Sequence, residues 1–263
     1  LQRETSSCQS KRLEPFAIDI RLRQVEGMRE KWGVVIVAAG RGSRMGTKES
    51  KQYLRLGDKP ILVHTLELFQ RMDFVEEIAL VVGDQDIERC QQWAKEYSLL
   101  KVTSIISGGT ERQYSVFRGL QSLKSEWVMV HDGVRPLVSE KAVRGCCARA
   151  LQDGAAVLAV PVKDTIKQVD ETGVIVATPD RKSLWAIQTP QAFRRDLLME
   201  AHESAIANGF LGTDDAMVVE RMGTSVVVAE GEYTNIKITT PEDLPWAEYL
   251  MAERRVMRGE EKI

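Results

Sequence analysis

The chain has 263 residues, with 36 lysines and arginines against 38 aspartates and glutamates, a formal net charge of −2. With 43% hydrophobic and 28% charged residues it is a globular chain, long enough to bury one large α/β core or two small ones. The near-neutral balance speaks against a nucleic-acid binder, and no apolar run approaches the roughly 20 residues of a membrane helix.

Residues 1–31 are polar and charged, without a clear period or the apolar stretch of a signal peptide. They are expected to form a flexible extension ahead of a single domain over 32–258, with Met28 a candidate true start. Gly33-Val34-Val35-Ile36-Val37-Ala38-Ala39 then predicts a strand buried on both faces, as in a parallel sheet. Ile61, Leu62, Thr65, Leu66 and Phe69 recur at helical spacing behind Pro60. Further strands are expected at Ile78–Val82, Thr103–Ile106, Trp127–Val130 and Ala155–Val160, with helices over 85–97, 112–124 and 139–151. This alternation implies an α/β fold, a mostly parallel sheet with helices on both faces.

The rhythm breaks at 162–183. Val162 to Val169 alternates with period two, Asp170-Glu171-Thr172-Gly173 turns, and Val174 to Thr178 answers, which predicts an inserted β-hairpin arm. It is either a sheet-edge excursion or a partner-packing arm, since an isolated hairpin is marginal in water. A helix near 193–208, a short helix near 214–222, strands at Ser225–Ala229 and Ile236–Ile238, and a helix after Pro241 complete the reading.

The chemistry is expected at strand ends. Ala38-Ala39-Gly40-Arg41-Gly42-Ser43-Arg44-Met45-Gly46 follows the first strand, where glycines let backbone N–H groups approach an anion. Its GxGxxxG spacing is neither the dinucleotide fingerprint nor a P-loop, and an ordinary turn remains an even competitor. Arg44 and Lys51 add two cations to it. Ser107-Gly108-Gly109-Thr110-Glu111-Arg112-Gln113-Tyr114-Ser115 suits a base, ribose or phosphate at a helix start, or a capping box of Thr110 with Gln113. In Val130-His131-Asp132-Gly133-Val134-Arg135, Asp132 suits a sugar hydroxyl or metal-bound polyphosphate and Arg135 a phosphate. A local Asp132–Arg135 salt bridge competes with that reading, and His131 is expected to be structural. Arg181 follows the hairpin, and Lys237, flanked by apolar residues, lies at an exposed edge or is aimed at an anion. Four cysteines (Cys8, Cys90, Cys146, Cys147) without CxxC spacing and three histidines without HExxH predict neither a disulfide framework nor a protein-built metal site. A cytoplasmic location is expected.

Together these residues resemble the 2-C-methyl-D-erythritol 4-phosphate cytidylyltransferase family. The loop at 38–45, Lys51-Gln52-Tyr53, Val130 to Arg135, Asp180-Arg181, Thr189-Pro190-Gln191, Thr213-Asp214-Asp215 and Asn235-Ile236-Lys237 fall in the family's order over about residues 33–255. Ser50 stands where the family often has proline, and Thr234 where it often has aspartate. The resemblance implies a Rossmann-like three-layer nucleotidyltransferase fold and a homodimer joined through the arm. It implies transfer of CMP from CTP to 2-C-methyl-D-erythritol 4-phosphate, with Mg2+ carried mainly by the CTP phosphates. By the same resemblance Ala38, Ala39, Gly40, Gly42, Ser43, Gly108, Gly109, Arg112 and Ser115 hold CTP, with Asp132 and Gly133 near its ribose and triphosphate. Arg44, Lys51, Arg181 and Lys237 are the catalytic cations, and Arg135, Thr165 and Thr189 line the sugar-phosphate site, Thr165 serving the neighbouring subunit. A cytidylyltransferase for another polyol phosphate, such as ribitol 5-phosphate, and a non-catalytic nucleotide-binding protein on the same fold are the competing readings.

Overall fold

The computed structural model describes residues 28–40 and 49–257. The expectations placed on residues 1–27 and on Gly42, Ser43 and Arg44 lie outside the described residues. The chain runs through β1 (Trp32–Val37), a small hairpin of β2 (Arg55–Leu56) and β3 (Lys59–Pro60), α1 (Ile61–Arg71), β4 (Val75–Val82), α2 (Ile87–Glu96), β5 (Val102–Ser107), α3 (Arg112–Ser122) and β6 (Trp127–Asp132). It continues through α4 (Glu140–Asp153), β7 (Ala155–Pro161), the arm strands β8 (Gln168–Val169) and β9 (Ile175–Ala177), β10 (Trp185–Arg194), α5 (Arg195–Ala207), α6 (Asp215–Glu220), β11 (Val227–Glu230) and α7 (Asp243–Met257).

Seven strands form one sheet in the order β11-β7-β10-β6-β1-β4-β5. Only β10 runs antiparallel to its neighbours within it. The uninterrupted apolar run of β1 has a direct physical cause: successive side chains leave opposite faces of the sheet, and both faces are covered. Val34 and Ile36 join one core cluster with Leu62, Leu66 and Phe69 of α1, Cys90 of α2 and Cys146 of α4. Val35 joins the other with Val116 and Leu120 of α3, Leu198 and Ala201 of α5, and Val219 of α6. Each fully buried Leu or Phe contributes about 1.5–3 kcal/mol of transfer free energy. Met28 packs half-buried against the first cluster. A third cluster of Leu56, Ile61, Val134, Leu137, Ile238, Ala247 and Leu250 seats α7 beside the loop after β6.

The order of strands positions the site. From β1 the chain builds outward through β4 to β5, then returns to the opposite side of β1 as β6. In open α/β sheets such a reversal leaves a crevice at the carboxyl ends of the strands, here β1 and β6.

Three elements differ from the sequence-based expectation. The helix near 193 starts only at Arg195, because Trp185–Arg194 forms β10, the antiparallel strand. Pro190 argues against an interior strand, since it cannot donate to a ladder. Here it lies within the register shift between Ile187 and Gln191, where no ladder donor is required. Ile236–Ile238 is not a strand; its apolar residues pack toward α7, and the Ile238 N–H donates to the Val134 carbonyl at 3.0 Å. In the arm, the ladder is confined to Gln168 opposite Ala177 and Val169 opposite Ile175. Its turn is closed by Asp170 Oδ1, which accepts from the Thr172 and Val174 N–H groups at 2.9 and 3.0 Å.

Candidate active site

Loops from the ends of β1, β5 and β6 meet over the crevice. The first is held by Gln52, whose buried amide Nε2 donates to the carbonyls of Ala38 at 2.6 Å and Gly40 at 3.1 Å. Lys51, the preceding residue, lines the cleft opposite this loop. The second loop is pressed against the first: a Cβ on Gly108 would lie 2.4 Å from the Ala39 Cβ, a distance only glycine permits. Ser115 reaches back from α3, its hydroxyl accepting from the Gly109 N–H at 3.0 Å and donating to the Glu111 carbonyl at 3.1 Å. Its hydroxyl is thus committed to the shape of the loop. The capping box that competed with the ligand reading is absent: Glu111 is the N-cap of α3, with no side-chain cap bond. Gln113 instead donates to the Phe210 carbonyl at 3.0 Å and accepts from the Gly212 N–H at 2.9 Å.

Asp132 ends β6 and is surrounded by cations. Lys237 Nζ lies 2.8 Å from Oδ2, Arg135 Nε 3.6 Å from the same oxygen, and Arg112 Nε 3.5 Å from Oδ1. Burial alone would raise the pKa of Asp132, but Arg112, then Lys237 and Arg135, outweigh it and hold the carboxyl well below its usual range. The local Asp132–Arg135 pair considered from sequence is therefore real, but it is one arm of a larger cluster. Arg135 is itself buried, and its Nη1 donates to the Asn235 carbonyl at 2.7 Å, which ties β6 to the segment carrying Lys237.

His131 is fully buried beneath this cluster. Its Nε2 lies 3.1 Å from the Arg135 carbonyl, which can only accept, so Nε2 carries the proton. Nδ1 then accepts from the Thr189 hydroxyl at 3.1 Å, and that hydroxyl accepts from the Asp132 N–H at 3.0 Å. Burial pushes the imidazole pKa down to about 4, only partly offset by the bond to the Arg135 carbonyl. His131 is neutral and structural, as its residue type suggested.

Arg112 is shared between two carboxylates, Asp132 and Asp215, the latter at 2.8 Å from Nη1. Asp215 begins α6 and is buried; the Gln191 side-chain oxygen fixes it by accepting from the Asp215 and Ala216 N–H groups at 3.1 and 3.0 Å. Asp214, just before it, caps α6 by accepting from the Met217 N–H at 2.9 Å. Asn235 Nδ2 donates to the Thr189 carbonyl at 2.9 Å. Gln52, Asp215 and Asn235 lie within short sequence stretches that were singled out, yet their tasks were missed. Each works on a partner remote in sequence, which periodicity does not report.

Among the residues expected at the site, Ala38, Ala39, Gly40, Lys51, Gly109, Arg112, Ser115, Asp132 and Lys237 line one open cleft of about 200 Å³. Gly108, Gly133, Arg135 and Thr189 belong to the same loops and to the hydrogen-bonded layer behind them. Arg181 and Thr165 are not brought there. Both are exposed on the arm, where Arg181 Nη1 donates to the Lys163 carbonyl at 2.8 Å. Among the described residues no group of three or more His, Cys, Asp or Glu side chains is arranged to hold a metal, and no helix is long and apolar enough to cross a membrane.

A model of the family described as IspD, 2-C-methyl-D-erythritol 4-phosphate cytidylyltransferase, matches residues 33–253. The chain is 47% identical over 225 residues to the 2-C-methyl-D-erythritol 4-phosphate cytidylyltransferase of Halalkalibacterium halodurans, covering 85% of this chain and 98% of the relative. To that of Geobacillus thermodenitrificans it is 49% identical over 222 residues, covering 84% and 96% respectively. The fold is similar to the crystal structure of 4-diphosphocytidyl-2C-methyl-D-erythritol synthase from Anaerococcus prevotii, with a TM-score of 0.75, 33% identity, and coverage of 85% of this chain and 96% of that one.

Proposed function

This chain belongs to the IspD family of 2-C-methyl-D-erythritol 4-phosphate cytidylyltransferases, and from that premise we infer which of its residues perform the reaction. The reaction moves CMP from CTP to 2-C-methyl-D-erythritol 4-phosphate and releases pyrophosphate, in the non-mevalonate route to isoprenoid precursors. The observation that carries the assignment of roles is the gathering of Lys51, Arg112 and Lys237 around the Asp132 end of the β1–β6 crevice.

The attacking group is a phosphate monoester, anionic at neutral pH, so the chemistry needs no general base. The site's titratable groups agree with this: Asp132 is held ionised by its cations and His131 is buried and neutral, so neither serves as a base. The difficulty is charge, because an anion must approach a triphosphate while negative charge accumulates at the α-phosphorus. Catalysis is then positioning plus electrostatic stabilisation by prearranged cations. The loops at 38–40 and 108–109, with Arg112, hold CTP; Lys51, with Arg44, stabilises the pentavalent transition state; Lys237 and Arg135 face the sugar phosphate.

Mg2+ fits this donor set. It takes few protein ligands and leaves the remainder to phosphates and water. Asp132 would hold it through its ionised Oδ1, which has the Arg112 Nε at 3.5 Å. When bound, the ion offsets the charge of the CTP phosphates. Arg181 and Thr165, exposed on an apolar arm, serve the cleft of a second copy in a homodimer, in the cytoplasm. The domain is taken as 32–258, with Met28 packed against its first core cluster.

A pyrophosphate-release assay with CTP and a panel of polyol phosphates tests the reading. Release with 2-C-methyl-D-erythritol 4-phosphate and little with ribitol 5-phosphate is expected, and Lys51→Ala removes most of it. Preference for ribitol 5-phosphate, or CTP binding without release on any acceptor, overturns it.

A further inference from the structure

His202 lies on α5, fully buried, and has no place in the reaction as described. α5 otherwise buries Leu198, Ala201 and Ala205, all apolar. An imidazole there is costly, because neither ring nitrogen makes a well-aligned hydrogen bond and a hydrocarbon side chain would fill the space without that penalty. What the imidazole reaches is Asp215: Nε2 stands 3.2 Å from Oδ1. The ring also stacks on Phe117 of α3, with centroids 6.2 Å apart and planes 18° from parallel, which fixes its orientation.

The other oxygen of Asp215, Oδ2, is the one that takes Arg112 Nη1 at 2.8 Å. The two oxygens therefore divide their work, Oδ1 toward His202 and Oδ2 toward the cleft. The backbone of Asp215 is fixed independently by Gln191. This leaves the carboxylate's rotation about its side-chain bonds as the freedom that His202 removes. A guanidinium held by two carboxylates, one of which cannot turn, presents the same face to the cleft at every turnover.

We infer that His202 is a positioning residue for nucleotide binding: through Asp215 it fixes the orientation in which Arg112 meets CTP. This rests on the assignment of Arg112 to the CTP site made above. It requires that loss of the imidazole donor weaken CTP binding while leaving the chemical step nearly intact.

The experiment measures CTP affinity by titration calorimetry with Mg2+, and kcat at saturating CTP, for wild type, Arg112→Ala, His202→Phe and His202→Gln. Phenylalanine keeps the ring and the stack on Phe117 but removes the donor; glutamine restores one. The expected result is a loss of CTP affinity of about tenfold in His202→Phe, the scale of one close polar contact to a charged group. Its kcat should stay within about twofold of wild type, and His202→Gln should bind CTP more tightly than His202→Phe. Unchanged CTP affinity in His202→Phe, where Arg112→Ala binds weakly, overturns the positioning role alone. Unchanged affinity in Arg112→Ala overturns the nucleotide assignment beneath it. If His202→Phe does not fold, Asp215→Asn with and without His202→Gln decides: no further loss on adding His202→Gln supports a single unit, and an independent additive loss rejects it.

Discussion

Lys237 Nζ lies 2.8 Å from Oδ2 of Asp132, joining the loop before α7 to the end of β6. The lysine side chain is 39% exposed, so the pair adds little stability; what it does is hold an ammonium at the mouth of the crevice. Lys237→Ala should leave the fold intact by circular dichroism and lower kcat by about 10²–10³, by analogy with removal of one oxyanion donor. Near-normal pyrophosphate release from a folded Lys237→Ala protein would take Lys237 out of the catalytic role.

The neutral, buried His131 makes stability depend on pH in a defined direction. Its pKa falls from 6.5 in the unfolded chain to about 4 in the fold, so between these values the unfolded state binds the extra proton. Its contribution is fully present above pH 6.5 and is lost as pH falls toward 4. A shift of that size corresponds to about 3 kcal/mol. Asp132 adds little in this window: its pKa is depressed, and the stability it contributes is lost mainly at more acidic pH. Urea unfolding of wild type and His131→Asn at pH 7 and pH 4.5 should show a steeper loss in wild type. Parallel losses in the two proteins would contradict the assignment.

Gln52 lines the cleft beside the loop it holds, and it should matter to CTP. Gln52→Leu deprives the Ala38 and Gly40 carbonyls of their shared donor, a cost of about 1–3 kcal/mol for buried groups left unpaired. The expected outcome is a lower melting temperature and a KM for CTP raised about tenfold, with the KM for the polyol phosphate nearly unchanged. Equal increases in both KM values would indicate a general loosening instead.

The arm offers Val169, Val174, Ile175 and Val176 to solvent at 57–61% exposure, an apolar stripe on a two-stranded ladder. Val176→Glu combined with Ile175→Glu touches no core packing and should shift monomer stability by no more than about 0.5 kcal/mol at each site. In a homodimer joined there, sedimentation velocity should show monomers and pyrophosphate release should fall with them. A double variant that sediments and turns over like wild type would exclude the arm as the joint.

Much of the fold was legible because its signals are local. The apolar run of β1 had to be covered on both faces, and the turn at Asp170 to Gly173 follows from side chains adjacent in sequence. The glycine pairs after β1 and β5 announced close approach, although the neighbour of Gly108 inside the protein is Ala39. β10 was hidden because Pro190 contradicts an interior strand unless a register shift accommodates it, and a register shift exists only relative to partner strands. The strand expected at Ile236–Ile238 failed for the converse reason, since apolar alternation records burial and not hydrogen-bond pairing.

The sequence by itself determined the layered α/β order, the strand-end position of the loops and the residue types in them, because strand and helix periods and turn residues act over a few neighbours. Only the tertiary structure decided how the charges are divided. Arg112 and Asp215 are 103 residues apart, and Arg135 and Asn235 are 100 apart. Their pairing depends on which strand the chain returns to, and the energy of a buried ion depends on the partners that burial supplies.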